Sequence, residues 1–222
     1  GHHRRQRQMC IRDRYINNVI KMRDKMDKNK RIITDADGVL LDWEYAFNIW
    51  MQSHGFEPTE GYQFKYDMGE RYGIPKKQVK VLIKQFNESA AIGFLPALRD
   101  AMYYVKRLHE EHGFTFEVVT SLSTDRFAQK LRVKNLQKLF GRTTFTNIKC
   151  LPTGADKDDY LKEHYEDSGL WWIEDKPANA LSGYNVGMKP ILVEHGHNMD
   201  YKGPATVCKS WREIYQLVIA GV

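Results

Sequence analysis

Cysteine is scarce in this chain. There are three in 222 residues, Cys10, Cys150 and Cys208, odd in number and far apart. That pattern excludes a disulfide framework and a cysteine-built zinc site, and leaves ordinary reduced thiols. Long apolar runs are missing too. No stretch of about eighteen apolar residues occurs, and no basic-then-apolar leader with a small-residue cleavage site, so a soluble, cytoplasmic chain without a membrane partner is expected.

Net charge is also smaller than the formal +6 suggests. Residues 1 to 14 hold Arg4, Arg5, Arg7, Arg12 and Arg14 against Asp13, a net +4, which leaves +2 for the remaining 208 residues. A body so close to neutral argues against a dedicated nucleic-acid partner. Within the basic arm, Met9-Cys10-Ile11-Arg12-Asp13-Arg14 is the translation of ATG TGT ATA AGA GAC AG, the mosaic end of transposon adapters. Residues 1 to 14 are therefore expected to be a non-native or disordered arm with no part in the fold, and the native chain to begin near Tyr15.

What is present centres on Arg31-Ile32-Ile33-Thr34-Asp35-Ala36-Asp37-Gly38-Val39-Leu40-Leu41-Asp42. A short β-branched run that ends in two carboxylates and a glycine reads as a buried parallel strand delivering Asp35 and Asp37 to its carboxyl end. Open α/β sheets place their chemistry there. The chain must turn at Gly38, so the second carboxylate should leave the strand axis and take a different task from the first.

The rest of the chain follows in order. A solvated leading helix is expected from Tyr15 to Lys30, and helical patterns without a convincing strand run from about Trp43 to Leu95. A second strand covers Phe114 to Val119 and closes on Thr120-Ser121. A helix capped at Ser123-Thr124-Asp125 then carries Lys130, Arg132, Lys134 and Lys138, which read as a solvated basic face. Strands at Thr143 to Ile148, Leu170 to Ile173 and Met188 to Val193 bring the number to five, and a helix from Ser210 to Val218 closes the chain. Glu174-Asp175 stands at the end of the fourth strand. His195 and His197 after the fifth read as a polar loop at the sheet edge, since two histidines with no third ligand in view do not make a zinc site.

The segment Asp35-Ala36-Asp37-Gly38-Val39-Leu40-Leu41-Asp42 resembles motif I of the haloacid dehalogenase-like superfamily of phosphohydrolases. Thr120, with Ser121 beside it, looks like motif II, and Glu174-Asp175 looks like motif IV in its Glu-Asp form. For the motif III lysine, Lys157 in Gly154-Ala155-Asp156-Lys157-Asp158-Asp159-Tyr160-Leu161 fits best, with Lys149, which directly follows a strand, as the rival.

The resemblance implies a doubly wound, parallel, five-stranded Rossmann-like sheet with a small helical cap inserted after the first strand. The core would be residues 15–42 and 96–222, and the cap residues 43–95. It further implies Asp35 as nucleophile, Asp37 as general acid and base, Lys157 as the neutralising cation, and Thr120 and Ser121 on the phosphate. Mg²⁺ would be held by Asp35, the backbone carbonyl of Asp37 and Asp175, with Glu174 acting through water.

Within the superfamily the chain looks most like the 5'(3')-deoxyribonucleotidase group, on motif I followed by Trp43, Thr120-Ser121 and the pair His197-Asn198. It departs from that group at Glu174 and at Leu122, where an aspartate and a proline are usual. A small phosphorylated substrate follows, a (deoxy)nucleoside monophosphate stacked on Tyr62, Phe64 or Tyr66. The alternatives are a sugar-phosphate phosphatase or phosphomutase, and a nucleic-acid-end phosphatase or non-catalytic binding protein using the helix with Lys130 to Lys138.

Overall fold

The computed structural model describes residues 30–221. The basic arm 1–14 and the leading helix expected at 15–30 lie, but for Lys30, outside the described residues.

Strand β1 (Arg31–Thr34) lies inside a sheet of order β3-β2-β1-β4-β5-β6. It pairs in parallel with β2 (Thr115–Ser121) on one side and β4 (Trp171–Glu174) on the other. Beyond these lie β3 (Phe145–Leu151), β5 (Lys189–Val193) and β6 (Thr206–Cys208), also parallel. The inner strands are buried on both faces. Ile32 packs with Phe116, Val118 and Trp211 on one face, whereas Ile33 packs with Val119, Leu161 and Trp172 on the other. This two-sided burial explains why these strands read as near-continuous apolar runs.

Among the described residues six strands replace the expected five. The sixth is only Thr-Val-Cys, with Thr206 and Val207 exposed, so it is too short and too wet to produce a periodic signal. The third strand also begins two residues later than expected. The hydroxyl of Thr144 donates to the Phe140 carbonyl (2.6 Å) and keeps that residue tied to the preceding helix.

Helices fill the segment between β1 and β2: α1 (Trp43–Ser53), a 3₁₀ turn (Tyr62–Phe64), α2 (Met68–Tyr72), α3 (Lys76–Asn87) and a second 3₁₀ turn (Ala90–Gly93). Asp42 caps α1 by accepting from the Tyr45 amide (3.0 Å). The aromatic stripe of α1 is mainly packing. Phe47 stacks on Trp43 at 4.6 Å and meets Phe86 of α3 edge-on at 5.3 Å, and both phenyl rings are fully buried.

The later helices are α4 (Ala101–His112), α5 (Arg126–Phe140), α6 (Asp158–Tyr165), α7 (Pro177–Asn185) and α8 (Trp211–Ala220). From β1 the chain moves outward through β2 and β3, then returns to β4 and moves the other way. The order therefore reverses between β1 and β4, which is where an open α/β sheet forms its crevice. No helix among the described residues is long and apolar enough to cross a membrane.

Candidate active site

Asp35 emerges directly from β1, its amide donating to the Ile173 carbonyl of β4 (2.9 Å). The next residues reverse sharply: Val39, Leu40 and Leu41 all donate to the Ala36 carbonyl, and Gly38 to Leu41. Gly38 sits at φ +72°, and a Cβ there would run into the carboxylate of Asp175, so the position demands glycine twice over. The turn carries Asp37 off the strand axis as the sequence implied. Nε2–H of His195 donates to the Gly38 carbonyl (2.7 Å) and holds the turn from the far side.

Three carboxylates meet at the crevice. Oxygens of Asp35, Glu174 and Asp175 lie within 4.8 Å of one another. Lys157, with 1% of its side chain exposed, reaches between two of them, 2.7 Å from Asp35 Oδ2 and 2.6 Å from Glu174 Oε1. Burial would lower the ammonium's pKa, but the two carboxylates outweigh it and raise the pKa instead. Lys149 is elsewhere. It lies within β3 with its ammonium 5.8 Å from the ring of Tyr160.

The three acids are not equivalent. Glu174 accepts from Lys157, the side chain of Asn179 and the amides of Asp175 and Lys176. Burial pushes it up, yet Lys157 and these donors hold its carboxyl below the usual range. Among the described residues no hydrogen-bond donor reaches the carboxylate of Asp175, and the nearest basic nitrogen, Nε2 of His197, is 3.9 Å away. Burial, then Glu174 and Asp35, raise Asp175 well above its ordinary value. Asp35 is pushed up to about 7, chiefly by burial, against the pull of Lys157. Three carboxylates around one ammonium leave excess negative charge, with Asp175 unpartnered. A hard divalent cation with oxygen ligands fits that deficit. Asn198 fixes the arrangement by donating to the carbonyls of Asp175 (2.8 Å) and Val193 (2.9 Å).

Asp37 meets a partner that the sequence reading missed. Nη2 of Arg132 lies 3.0 Å from Oδ2 and 2.9 Å from Oδ1, and Nη1 donates to the Thr120 hydroxyl (3.3 Å). The expectation of a solvated basic face on α5 fails at this residue. Arg132 is fully buried, with Ala128 and Leu136 one helical turn to either side. That spacing was the available signal: a cation at i+4 and i−4 from apolar residues belongs to the inward stripe. Burial raises the pKa of Asp37, and Arg132 opposes the rise.

The candidate hydroxyls separate. Thr120 was expected against the phosphate, but it is fully buried beneath Arg132, whereas Ser121 faces a cavity of about 1010 Å³ and donates to the Ala155 carbonyl (2.9 Å). Strand alternation accounts for this, since adjacent residues point to opposite sides. Asp35, Asp37, Lys157 and Asp175 line the same cavity.

Of the three stacking candidates only Tyr66 lines it, its ring 5.1 Å from that of His197. Tyr62 faces a smaller hollow beside Asp42, Glu44 and Asn48, and Phe64 is 59% exposed outside the wall, because the 3₁₀ turn directs both away. Trp43 also lines the cavity. His195 and His197, expected as an edge loop, form part of the wall instead, since the 3₁₀ turn Gly196–Asn198 folds them back over Gly38 and Asp175. They lie outside the acidic cluster, and burial lowers the pKa of both.

No protein-family model matches the chain. It is 26% identical over 191 residues to an uncharacterized 32.4 kDa protein in the Gp30-rIII intergenic region of enterobacteria phage T4, with 82% of this chain and 67% of the phage protein covered. Among solved structures it is similar to a haloacid dehalogenase-like family hydrolase from Streptococcus pneumoniae, with TM-score 0.59, 14% identity, and 86% of this chain and 98% of that chain covered. It is also similar to the D,D-heptose 1.7-bisphosphate phosphatase of B. bronchiseptica complexed with magnesium and phosphate, with TM-score 0.54, 12% identity, and 87% and 99% coverage. At such identities the likeness is one of fold, and the fold of this chain is that of the haloacid dehalogenase-like hydrolases and phosphatases.

Proposed function

We propose that the chain is a Mg²⁺-dependent phosphomonoesterase that works through an aspartyl-phosphate on Asp35, with nucleoside monophosphates as the substrate class. The observation that carries the reading is the position of Asp35 at the crevice, beside Lys157 and the unpartnered Asp175, with a second acid, Asp37, reached through the Gly38 turn.

Asp35 attacks phosphorus and the bond to the ester oxygen breaks. Asp37 gives its proton to that leaving oxygen, then takes one from the water that attacks the phosphoryl group and releases phosphate from Asp35. The raised pKa of Asp37 suits a carboxyl that must carry a proton into the first half of the cycle. Lys157 offsets the charge of the Asp35 carboxylate as the phosphate approaches, and Ser121 flanks the phosphate oxygens. Asp35, Asp175 and the backbone carbonyl of Asp37 would hold magnesium, with Glu174 in support because its own oxygens already accept four hydrogen bonds. When bound, the ion supplies charge neutralisation for phosphate and nucleophile together. The helices of 43–95 act as the cap, and Tyr66 and Trp43 offer faces for a base.

The test is phosphate release with Mg²⁺ from a panel of 5'- and 3'-nucleoside monophosphates and sugar phosphates, with Asp35→Asn alongside. Turnover of nucleotides that falls more than about a thousandfold in Asp35→Asn is expected. Turnover confined to sugar phosphates would replace the nucleotide assignment, and release indifferent to Asp35→Asn would overturn the mechanism.

A further inference from the structure

Helix α3 runs along the cavity rather than beside it. Lys76, Val79, Lys80, Ile83, Lys84 and Asn87 all line the wall, a face that spans the whole helix from first residue to last. At 1.5 Å per residue this face is roughly 16 Å long. The three lysines recur every four residues and so form one stripe about 6 Å apart along the axis. The helix carries four lysines and no acid.

Such a stripe works against the helix that bears it. Lys76 lies in the first turn, where the helix dipole disfavours cations, and lysines four apart repel one another. Among the described residues Lys76 pairs with Asp67 at 3.8 Å, while Lys80 and Lys84 form no salt bridge. The near-neutral charge of the body, which argued against a nucleic-acid partner, is an average that hides this concentration on one wall. The basic residues of α5, the other candidate surface, do not line the cavity.

We propose that the site takes a single-stranded nucleic acid by its phosphorylated end, with the terminal phosphate at Asp35 and the following backbone phosphates along Lys76, Lys80 and Lys84. This rests on the phosphomonoesterase reading and moves its substrate from the free nucleoside monophosphate to the same phosphorylated nucleotide at the end of a strand. The lysine repeat matches the repeat of phosphates along an extended strand, and Trp43 and Tyr66 on the same cavity give base-stacking faces that are indifferent to sequence. The cavity volume of about 1010 Å³ stands at the upper limit of small-ligand pockets, as an open channel for a chain end requires.

The experiment uses the full chain in two arms. In the first, phosphate release is followed from p-nitrophenyl phosphate, a nucleoside 5'-monophosphate, a nucleoside 3',5'-bisphosphate and hexanucleotides phosphorylated at either end. A hexanucleotide is expected to exceed the monophosphate in kcat/KM about tenfold or more at low salt, mainly through KM. Lys80→Gln/Lys84→Gln should lower hexanucleotide turnover at least tenfold more than p-nitrophenyl phosphate turnover, while Lys77→Gln, off the cavity wall, changes neither. Equal use of monophosphate and hexanucleotide, preference for the bisphosphate, or equal loss on all substrates would overturn the proposal.

The second arm does not depend on catalysis: anisotropy of a fluorescein-labelled, end-phosphorylated hexanucleotide against salt. Two lost phosphate contacts should reduce the slope of log K on log salt by about 1.4 in Lys80→Gln/Lys84→Gln. An unchanged slope overturns the strand path. Salt-dependent binding without any phosphate release would keep the strand path and refute the esterase reading alone.

Discussion

Replacing Arg132 by methionine tests the acid–base half of the site. The guanidinium is fully buried and lies 2.9 Å from Asp37 Oδ1, and it also donates to Thr120. Methionine fills much of the volume but leaves the partly buried carboxylate, 22% exposed to the cavity, without its cation, at a cost of about 2–3 kcal/mol, less than the roughly 3–5 kcal/mol of a fully buried pair. For a chain of this size that is a fall in Tm of roughly 4–12 °C. Chemistry should change in a particular direction. Asp37 must hold a proton to give it to the leaving oxygen, so kcat/KM falls as pH rises through its pKa. Arg132 is the strongest influence holding that pKa down against burial. Coulomb's law at this separation with an effective dielectric of about 20 gives a ceiling of roughly 6 kcal/mol, about four pKa units. Water entering the gap will screen most of this, and a rise of about one unit or more in the alkaline limb is expected. Scanning fluorimetry and a pH profile of kcat/KM measure the two effects. Adding Asp37→Asn to Arg132→Met should recover at least half of the lost stability, because no unpaired carboxylate is then left at this partly buried position. An Arg132→Met protein that melts within about 2 °C of wild type, with its alkaline limb unmoved, would refute the argument.

Asp175→Asn removes a partly buried carboxylate, 18% exposed, that no donor among the described residues reaches, so the metal-free protein should gain on the order of 1 kcal/mol, seen as a higher Tm in EDTA. The same variant should lose the increase in Tm that saturating Mg²⁺ gives wild type, about 2.7 kcal/mol at a hundredfold excess over Kd; an increase retained in full would remove Asp175 from the cation site. Metal-free wild type should also lose stability as pH rises. Asp35, at about 7, and Asp175 are both raised above their unfolded values, so the fold prefers their protonated forms. The contribution of Asp35 is complete below about pH 4 and is lost as pH climbs through about 7, and Asp175 acts in the same sense. Glu174, shifted downward, acts in the opposite sense and only in the acid range. Melting in EDTA at pH 5 and pH 8 checks the sign, and a Tm that is higher at pH 8 would contradict it.

The sequence by itself determined the inner strands and the order of the acids, because an apolar run buried on both faces leaves a plain record and a carboxylate directly after it can only sit at the strand's end. Gly38 was legible for a similar local reason, the turn demanded directly after the second carboxylate. The sixth strand was not legible, since three residues, two of them exposed, carry no period. Tertiary structure alone decided which side chains meet. Arg132 and Asp37 are 95 residues apart, and only the docking of α5 against β2 turns one cation among several on a helix into the one that grips the second acid. In the same way only the assembled fold sets Lys157 and not Lys149 beside Asp35, turns Ser121 and not Thr120 to the cavity, and brings three lysines of α3 to its wall. Helical period says which residues share a face, but the sheet had to be assembled before that face could be assigned to solvent, core or cavity.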